Sequence, residues 1–224
     1  MIKGLHRLEY RGYDSAGVAL LAGDHKMNIY KSKGKVSNLE ESAASKDISG
    51  HIGIAHTRWA THGEPSTLNA HPHVSQNGRL ALVHNGIIEN YSNLKTFLEG
   101  KGFTFKSSTD TEVLVQLIQF IQDEYGKDLE GAVVSALRRV TGAYAIAVVD
   151  KENPDKIVVA RKSSPLVVGI GEDHKEFFLA SDALPIVEYT KQMVYLNDGE
   201  VALLKVGQKM EIHTLDNEDV DPKI

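Results

Sequence analysis

The segment of the chain best suited to chemistry is residues 56–63, which read His-Thr-Arg-Trp-Ala-Thr-His-Gly. It follows a strand-like run at 52–55 and brings together a permanent cation, an indole, hydroxyls and imidazoles. A guanidinium beside an indole suits a carboxylate, because its planar fork matches both oxygens and the ring excludes water. The segment therefore predicts a binding site centred on Arg58. An exposed loop that follows a strand is the alternative.

A second candidate is the pair Asn85-Gly86, which lies at the end of an apolar run. Asn-Gly between apolar runs is a common signal for a tight hairpin turn. The same pair can direct a side-chain amide and a backbone N–H at one oxygen, which is what the oxyanion of an acyl-transfer reaction requires. The sequence leaves a turn and an oxyanion site as alternatives.

A third candidate is Asp110, in the Ser-Thr-Asp-Thr-Glu run at 108–112. By itself it fits the N-cap of the helix that follows. Together with Arg58, however, it would supply a fixed carboxylate and a fixed cation, which can bind the two charged ends of an α-amino acid. Loss of either partner would leave a desolvated charge unpaired, at a cost of about 2–5 kcal/mol.

Ten histidines raise the alternative of a metal-dependent hydrolase. Half of them fall in a short stretch, namely His56, His62, His71, His73 and His84. The His-Pro-His spacing at 71–73 is not that of a zinc-binding HExxH helix, and Glu64 is the one carboxylate between Arg58 and Glu89. We therefore predict no metal and no cofactor, and expect these histidines to be hydrogen-bonded anchors of loops.

Composition narrows the function to small-molecule chemistry. The 224 residues are 42% hydrophobic and 25% charged, as in ordinary globular domains, and the net charge of -5 comes without a basic run. We expect no nucleic-acid partner, no membrane partner and a cytoplasmic location. The chain has no cysteine, which excludes disulfides, thiolate metal ligands and a cysteine nucleophile within it.

The pattern of elements predicts an α+β fold. Two stretches of helical period, at 111–125 and 129–140, lie between two groups of short strands, and Val113, Leu114, Leu117, Ile118 and Ile121 would form one apolar side of the first helix. This order favours packed antiparallel sheets with outer helices. One domain should fill residues 1–224, with a polar linker at 216–224. The predicted strands are 16–21, 28–31, 52–57, 80–84, 143–149, 157–160, 177–180 and 201–206.

Taken together, five motifs resemble a known family. They are EYRGYDSAG at 9–17, HTRWATHG at 56–63, NAHPH at 69–73, HNG at 84–86 and TDTE at 109–112. In this order they are similar to the glutaminase (class II, or type 2, glutamine amidotransferase) domain of glucosamine-6-phosphate synthases, the isomerizing glutamine:fructose-6-phosphate aminotransferases. The resemblance spans the chain. It implies the four-layer αββα sandwich of N-terminal-nucleophile hydrolases.

The resemblance also implies roles for single residues and partners for the chain. Arg58 would bind the α-carboxylate of L-glutamine and Asp110 its α-ammonium, while Asn85 and Gly86 would stabilise the oxyanion. Released ammonia would convert fructose 6-phosphate to glucosamine 6-phosphate in a sugar-phosphate isomerase domain. The resemblance also implies that the protein can form a homodimer. Other implied site residues are Thr61, His62 and His71 in the glutamine pocket, Trp59 as an aromatic gate, and Arg11 beside the nucleophile.

One departure from the family bears on activity. Members begin with a cysteine, whose thiolate attacks the amide and whose α-amino group acts as base, followed by a short apolar strand. This chain has no cysteine, and Ser15 has no evident base to activate it. We therefore expect an N-terminally truncated glutaminase domain without the isomerase domains, inactive by itself. A catalytically silent amino-acid-binding module remains the alternative.

Overall fold

A computed structural model describes residues 1–216 of the chain. Apart from Asp216, the polar linker predicted at 216–224 lies outside the described residues. Among the helices that are described, none is both long and apolar enough to cross a bilayer. The helices are α1 (Ile2–Leu8), α2 (Val36–Ala43), α3 (Tyr91–Glu99), α4 (Asp110–Tyr125) and α5 (Leu129–Leu137), with short 3-10 turns at Glu9–Arg11 and Glu172–His174.

The strands form three antiparallel sheets. Their orders are β2-β1-β3, β10-β8-β9 and β12-β11-β7-β6-β5-β4. The first six strands are β1 (Ser15–Leu21), β2 (Met27–Lys33), β3 (Ile52–Arg58), β4 (His73–Val74), β5 (Leu80–Ile88) and β6 (Gly142–Asp150). The others are β7 (Lys156–Lys162), β8 (Val167–Ile170), β9 (Phe177–Ala180), β10 (Met193–Tyr195), β11 (Glu200–Lys205) and β12 (Glu211–Thr214).

Three hydrophobic clusters show how these elements stack. Alternate residues of a strand face opposite sides of its sheet, so Leu82 of β5 packs against α4 and α5 while Val83 packs against β3 and β8. In the same way, Leu21 of β1 joins the central cluster, and Leu20 joins a third cluster with α1 and α2. Three clusters between four layers confirm the predicted αββα sandwich.

Helix α4 differs from its prediction. Instead of one apolar side, it is buried on all sides over residues 110–122. It packs between α3, α5 and β5, so its polar positions also lie inside the protein. The side chains of Gln116 and Gln119 accept hydrogen bonds from the backbone N–H groups of Gln76 and Asn77. These bonds satisfy polar groups that a purely apolar helix would leave unpaired.

A large apolar cleft separates two sheet edges. Strands β3 and β9 are each the last strand of a three-stranded sheet, and both line a cavity of about 1120 Å³. Its walls are mainly apolar and include Ile52, Ile54, Val83, Phe177 and Leu179. Within residues 1–216, no strand pairs with the outer edge of either β3 or β9. Unpaired strand edges are templates for a further strand. We refer to this cavity as the cleft.

Candidate functional site

The nine predicted site residues line one cavity of about 410 Å³, which we call the site cavity. It lies where the end of β3, the loop after it, the middle of β5 and the start of α4 converge. The structure therefore brings together residues that are up to 99 positions apart in the chain, from Arg11 to Asp110. The predicted residues in its wall are Arg11, Arg58, Trp59, Thr61, His62, His71, Asn85, Gly86 and Asp110.

Arg58 is buried and holds its own loop. Its guanidinium donates hydrogen bonds to the backbone carbonyls of His62 (2.5 Å), Gly63 (2.7 Å) and Glu64 (3.2 Å). Burial lowers the pKa of Arg58, and the nearby carboxylates of Asp14 and Asp110 oppose that shift. Three of its five N–H groups are used in this way, so the cation can shape the loop and still attract an anion in the cavity.

The loop after β3 is also fastened by Asp14. One carboxylate oxygen accepts a hydrogen bond from the backbone N–H of Ala60, and the other lies 3.7 Å from the guanidinium of Arg58. Beside it, the ring of Trp59 covers Gly12, whose φ of 93° and lack of a Cβ permit an approach that another residue would obstruct. Trp59 is 65% exposed, so it forms an outer wall of the site and is not part of the hydrophobic core.

Asp110 connects helix α4 to strand β5. The predicted N-cap alternative for Asp110 is wrong, because the cap is Thr109, whose hydroxyl accepts a hydrogen bond from the N–H of Glu112. Asp110 is instead the first residue of α4, and its Oδ2 accepts a hydrogen bond of 2.7 Å from the N–H of Ile88. A carboxylate at a helix N-terminus is also stabilised by the helix dipole.

Asn85 and Gly86 lie within strand β5, so the hairpin alternative is wrong. Along an antiparallel strand, alternate N–H groups point to the same side. The N–H of His84 bonds His71 and that of Ile88 bonds Asp110, both on the side away from β6. The N–H of Gly86, between them, therefore points to that side as well, where the site cavity lies. A Cβ on Gly86 would stand 2.2 Å from the carbonyl oxygen of Ala143, which requires glycine there.

Four histidines pack behind this strand and bind protein groups. His56 pairs with Asn85 at 2.8 Å, His73 with Thr109 at 3.0 Å and His84 with Thr111 at 2.9 Å, while His71 accepts from the backbone of His84 at 3.2 Å. Burial lowers the pKa of all four imidazoles, to about 4 for His56, so they are neutral near pH 7. All four are hydrogen-bonded, as predicted, but His56, His73 and His84 lie on strands β3, β4 and β5 and not in loops.

Among residues 1–216, no cluster of histidines has the geometry of a metal site that the metal-dependent alternative would require. In the part of the chain that is described, the group of three potential ligand atoms within 4.8 Å of one another is Glu130, Glu211 and His213. None of these residues lines the site cavity.

Several residues at the site had no predicted catalytic or substrate-binding role. Asp14, which fastens the loop, and His56 and His84, which line the site cavity, occur inside the quoted motifs, whose density of polar residues was the available signal. Ser164, Pro165 and Ser181 also line the site cavity, and Ser181 accepts a hydrogen bond of 2.8 Å from Arg11. They come from distant loops with no local pattern, so the sequence carried no signal for them.

Comparison with known proteins agrees with this geometry. The sequence profile of the family described as a glutamine amidotransferase domain matches residues 16–215. Over its whole length, the chain is 62% identical to a glutamine–fructose-6-phosphate aminotransferase (isomerizing) of Bacteroides thetaiotaomicron and 54% identical to that of Chlorobaculum tepidum. It covers 36% of each, so it spans about a third of the length of these curated relatives.

A solved structure gives the same result for the fold. A glutamine phosphoribosylpyrophosphate amidotransferase from B. subtilis, complexed with ADP and GMP, superposes with a TM-score of 0.81 at 28% identity. The match covers 96% of this chain and 46% of that one. With the profile match over most of the sequence, these relationships show that the chain belongs to the glutamine amidotransferase domain family.

Proposed function

We propose that the site cavity binds L-glutamine and that the chain is the glutaminase part of an isomerizing glutamine:fructose-6-phosphate aminotransferase. The supporting observation is the placement of Arg58 and Asp110 in one cavity, with Asn85 and Gly86 beside them. In this proposal the two charges bind the α-carboxylate and the α-ammonium. The amide of the substrate side chain then extends to the donors on β5. His62, His71 and Thr61 complete the pocket, and Trp59 covers it.

The proposal needs a nucleophile that the 224 residues do not contain. We propose that a cysteine-bearing apolar segment occupies the cleft, paired with β3 and β9. The cleft and the site cavity share a boundary that includes Arg11, His56 and Asn85, so one end of such a strand would reach the oxyanion donors. The thiolate would attack the amide carbon, negative charge would develop on its oxygen, and ammonia would leave.

The same proposal covers the acceptor of the released ammonia and the partners of the chain. The curated relatives are named for an isomerizing transfer to fructose 6-phosphate, so a sugar-phosphate isomerase domain is the proposed partner. A homodimer is proposed on the family resemblance alone. We propose a cytoplasmic location, because fructose 6-phosphate is a charged metabolite that does not cross membranes unaided.

The first expected result is binding without turnover. The 224-residue chain should bind L-glutamine in isothermal titration calorimetry and should release no glutamate, because it lacks the nucleophile and its base. D-Glutamine is the matched control, since inversion of the α-carbon prevents its two charged groups from meeting Arg58 and Asp110 together. Absence of binding would contradict the proposed site. Turnover, with contaminating glutaminase excluded, would contradict the proposed nucleophile.

Lack of a cysteine also favours a second candidate, a silent amino-acid-binding module. The two candidates differ in the effect of the missing segment. A chain extended at its N-terminus with a cysteine-first apolar strand should hydrolyse L-glutamine if the first proposal holds. It should still only bind L-glutamine if the second holds.

A second expected result concerns stability. The extended chain should melt at a higher temperature, because a strand in the cleft would cover apolar walls worth roughly 25 cal/mol per Å². For a domain of this size, each 1 kcal/mol raises the midpoint by about 2–4 °C. The control is the same extension with a proline at its centre, which cannot complete both ladders. Equal midpoints for all three chains would mean that the segment does not occupy the cleft.

A further inference from the structure

His56 contacts the amide that the proposed mechanism uses. It lies on β3, at the boundary between the cleft and the site cavity, and is 9% exposed. Its Nε2 is 2.8 Å from Oδ1 of Asn85. Its ring stacks on His71, with centroids 4.1 Å apart and planes inclined by 10°. Stacking on one face and burial on all sides hold the imidazole in this orientation.

The position of one proton follows from these contacts. A carboxamide oxygen only accepts hydrogen bonds, and a neutral imidazole carries a single N–H. The contact with Asn85 therefore requires the N–H of His56 to be on Nε2. Its Nδ1 is buried and makes no hydrogen bond of good geometry, although the backbone of His84 also acts on this ring. The contact between Nε2 and Asn85 is therefore the observation that assigns the tautomer.

We infer that His56 is a positioning residue, which fixes the Asn85 carboxamide so that its NH₂ group, not its oxygen, faces the site cavity. This inference rests on the proposed function. With the other tautomer, Asn85 would donate to His56 and present its oxygen to the cavity. An oxygen there would repel the developing oxyanion, whereas an N–H donor stabilises it. The tautomer of His56, acting through Asn85, thus determines whether the interaction with the oxyanion is attractive or repulsive.

The tautomer can be measured in the 224-residue chain itself. Long-range ¹H–¹⁵N spectra of ¹⁵N-histidine-labelled protein distinguish the two ring tautomers, and the spectrum of a His56→Gln variant assigns the signals of His56. We expect a neutral Nε2–H tautomer at pH 7. In an Asn85→Leu variant, which lacks the acceptor, the preference should weaken toward an average of both forms. An Nδ1–H tautomer in the parent chain, or one unaffected by Asn85→Leu, would overturn the inference.

A binding comparison tests the consequence for the cavity. The side-chain carboxylate of L-glutamate places negative charge where the oxyanion would form, while L-glutamine does not. We expect His56→Leu to weaken binding of L-glutamate by about tenfold or more and that of L-glutamine only a few-fold, because bonds to charged groups are the stronger. His56→Gln retains an N–H that can reach Asn85 and should restore the preference.

The possible outcomes separate the inference from the function on which it rests. If the parent chain binds neither amino acid, the proposed function fails, and the tautomer spectra still decide the orientation of Asn85. If both ligands bind and His56→Leu weakens them equally, or His56→Gln behaves as His56→Leu does, His56 only fills space and the inference is wrong.

Discussion

Replacing Asn85 with alanine, in a chain extended with the cysteine segment, should lower kcat by about 10²–10³ and leave KM nearly unchanged. The donor on Asn85 faces an oxygen that carries little charge in bound glutamine and full charge in the tetrahedral intermediate. An interaction that strengthens in this way lowers the barrier without tightening substrate binding. Steady-state measurement of glutamate release gives both constants.

The contrasting variants are Asp110→Asn and Arg58→Lys, which should mainly raise KM. An asparagine at position 110 can still accept the bond from Ile88 but no longer carries a charge for the α-ammonium. A lysine at 58 cannot form the planar fork for a carboxylate. It would also lose contacts to the carbonyls of His62, Gly63 and Glu64, so its melting midpoint must be compared with that of the parent. If Asn85→Ala changed KM alone, Asn85 would not be an oxyanion donor.

The sequence predicted the layers better than the edges of the fold. All eight predicted strands and both predicted helices occur, because each holds several apolar residues in a regular period. Strands β4, β8, β10 and β12, which have two to four residues each, were missed, although β9, also of four residues, was predicted. Helices α2 and α3 bury only a few side chains each, and their mixed composition gave no clear stripe.

Prediction of the site from the sequence was limited in a different way. The sequence identified three site residues as candidates, because their side chains offer more chemistry than a turn or a helix cap requires. They are Arg58, Asn85 and Asp110. Local rules nevertheless misassigned two of them as alternatives, since an Asn-Gly pair and an acidic residue before a helix usually have local roles. Contacts between distant segments of the chain instead determine the positions of these residues. Gly86 is paired with Tyr144 of β6 and Asp110 bonds the backbone of β5, contacts that no window of the sequence contains.

The four buried histidines that support the site should also make the fold sensitive to acid. Burial holds their pKa values below the ordinary value of about 6.5 that the unfolded chain retains. As the pH falls through 6.5, the unfolded chain gains protons that the folded chain does not. The free energy of unfolding therefore falls, and His56 alone accounts for about 3 kcal/mol between pH 6.5 and about 4.

Urea unfolding at successive pH values measures this effect, because the slope of the unfolding free energy against pH counts the protons taken up. We expect a slope of more than one proton below pH 6.5, and a slope smaller by about one in His56→Gln, which cannot titrate. The control is His51→Gln, which removes an imidazole from an exposed position. Since total stabilities are about 5–15 kcal/mol, the contribution of His56 alone is a substantial part of the stability of the domain. A free energy of unfolding that stays flat from pH 7 to pH 5 would contradict the lowered pKa values, because it would mean that these histidines titrate alike in the folded and the unfolded chain.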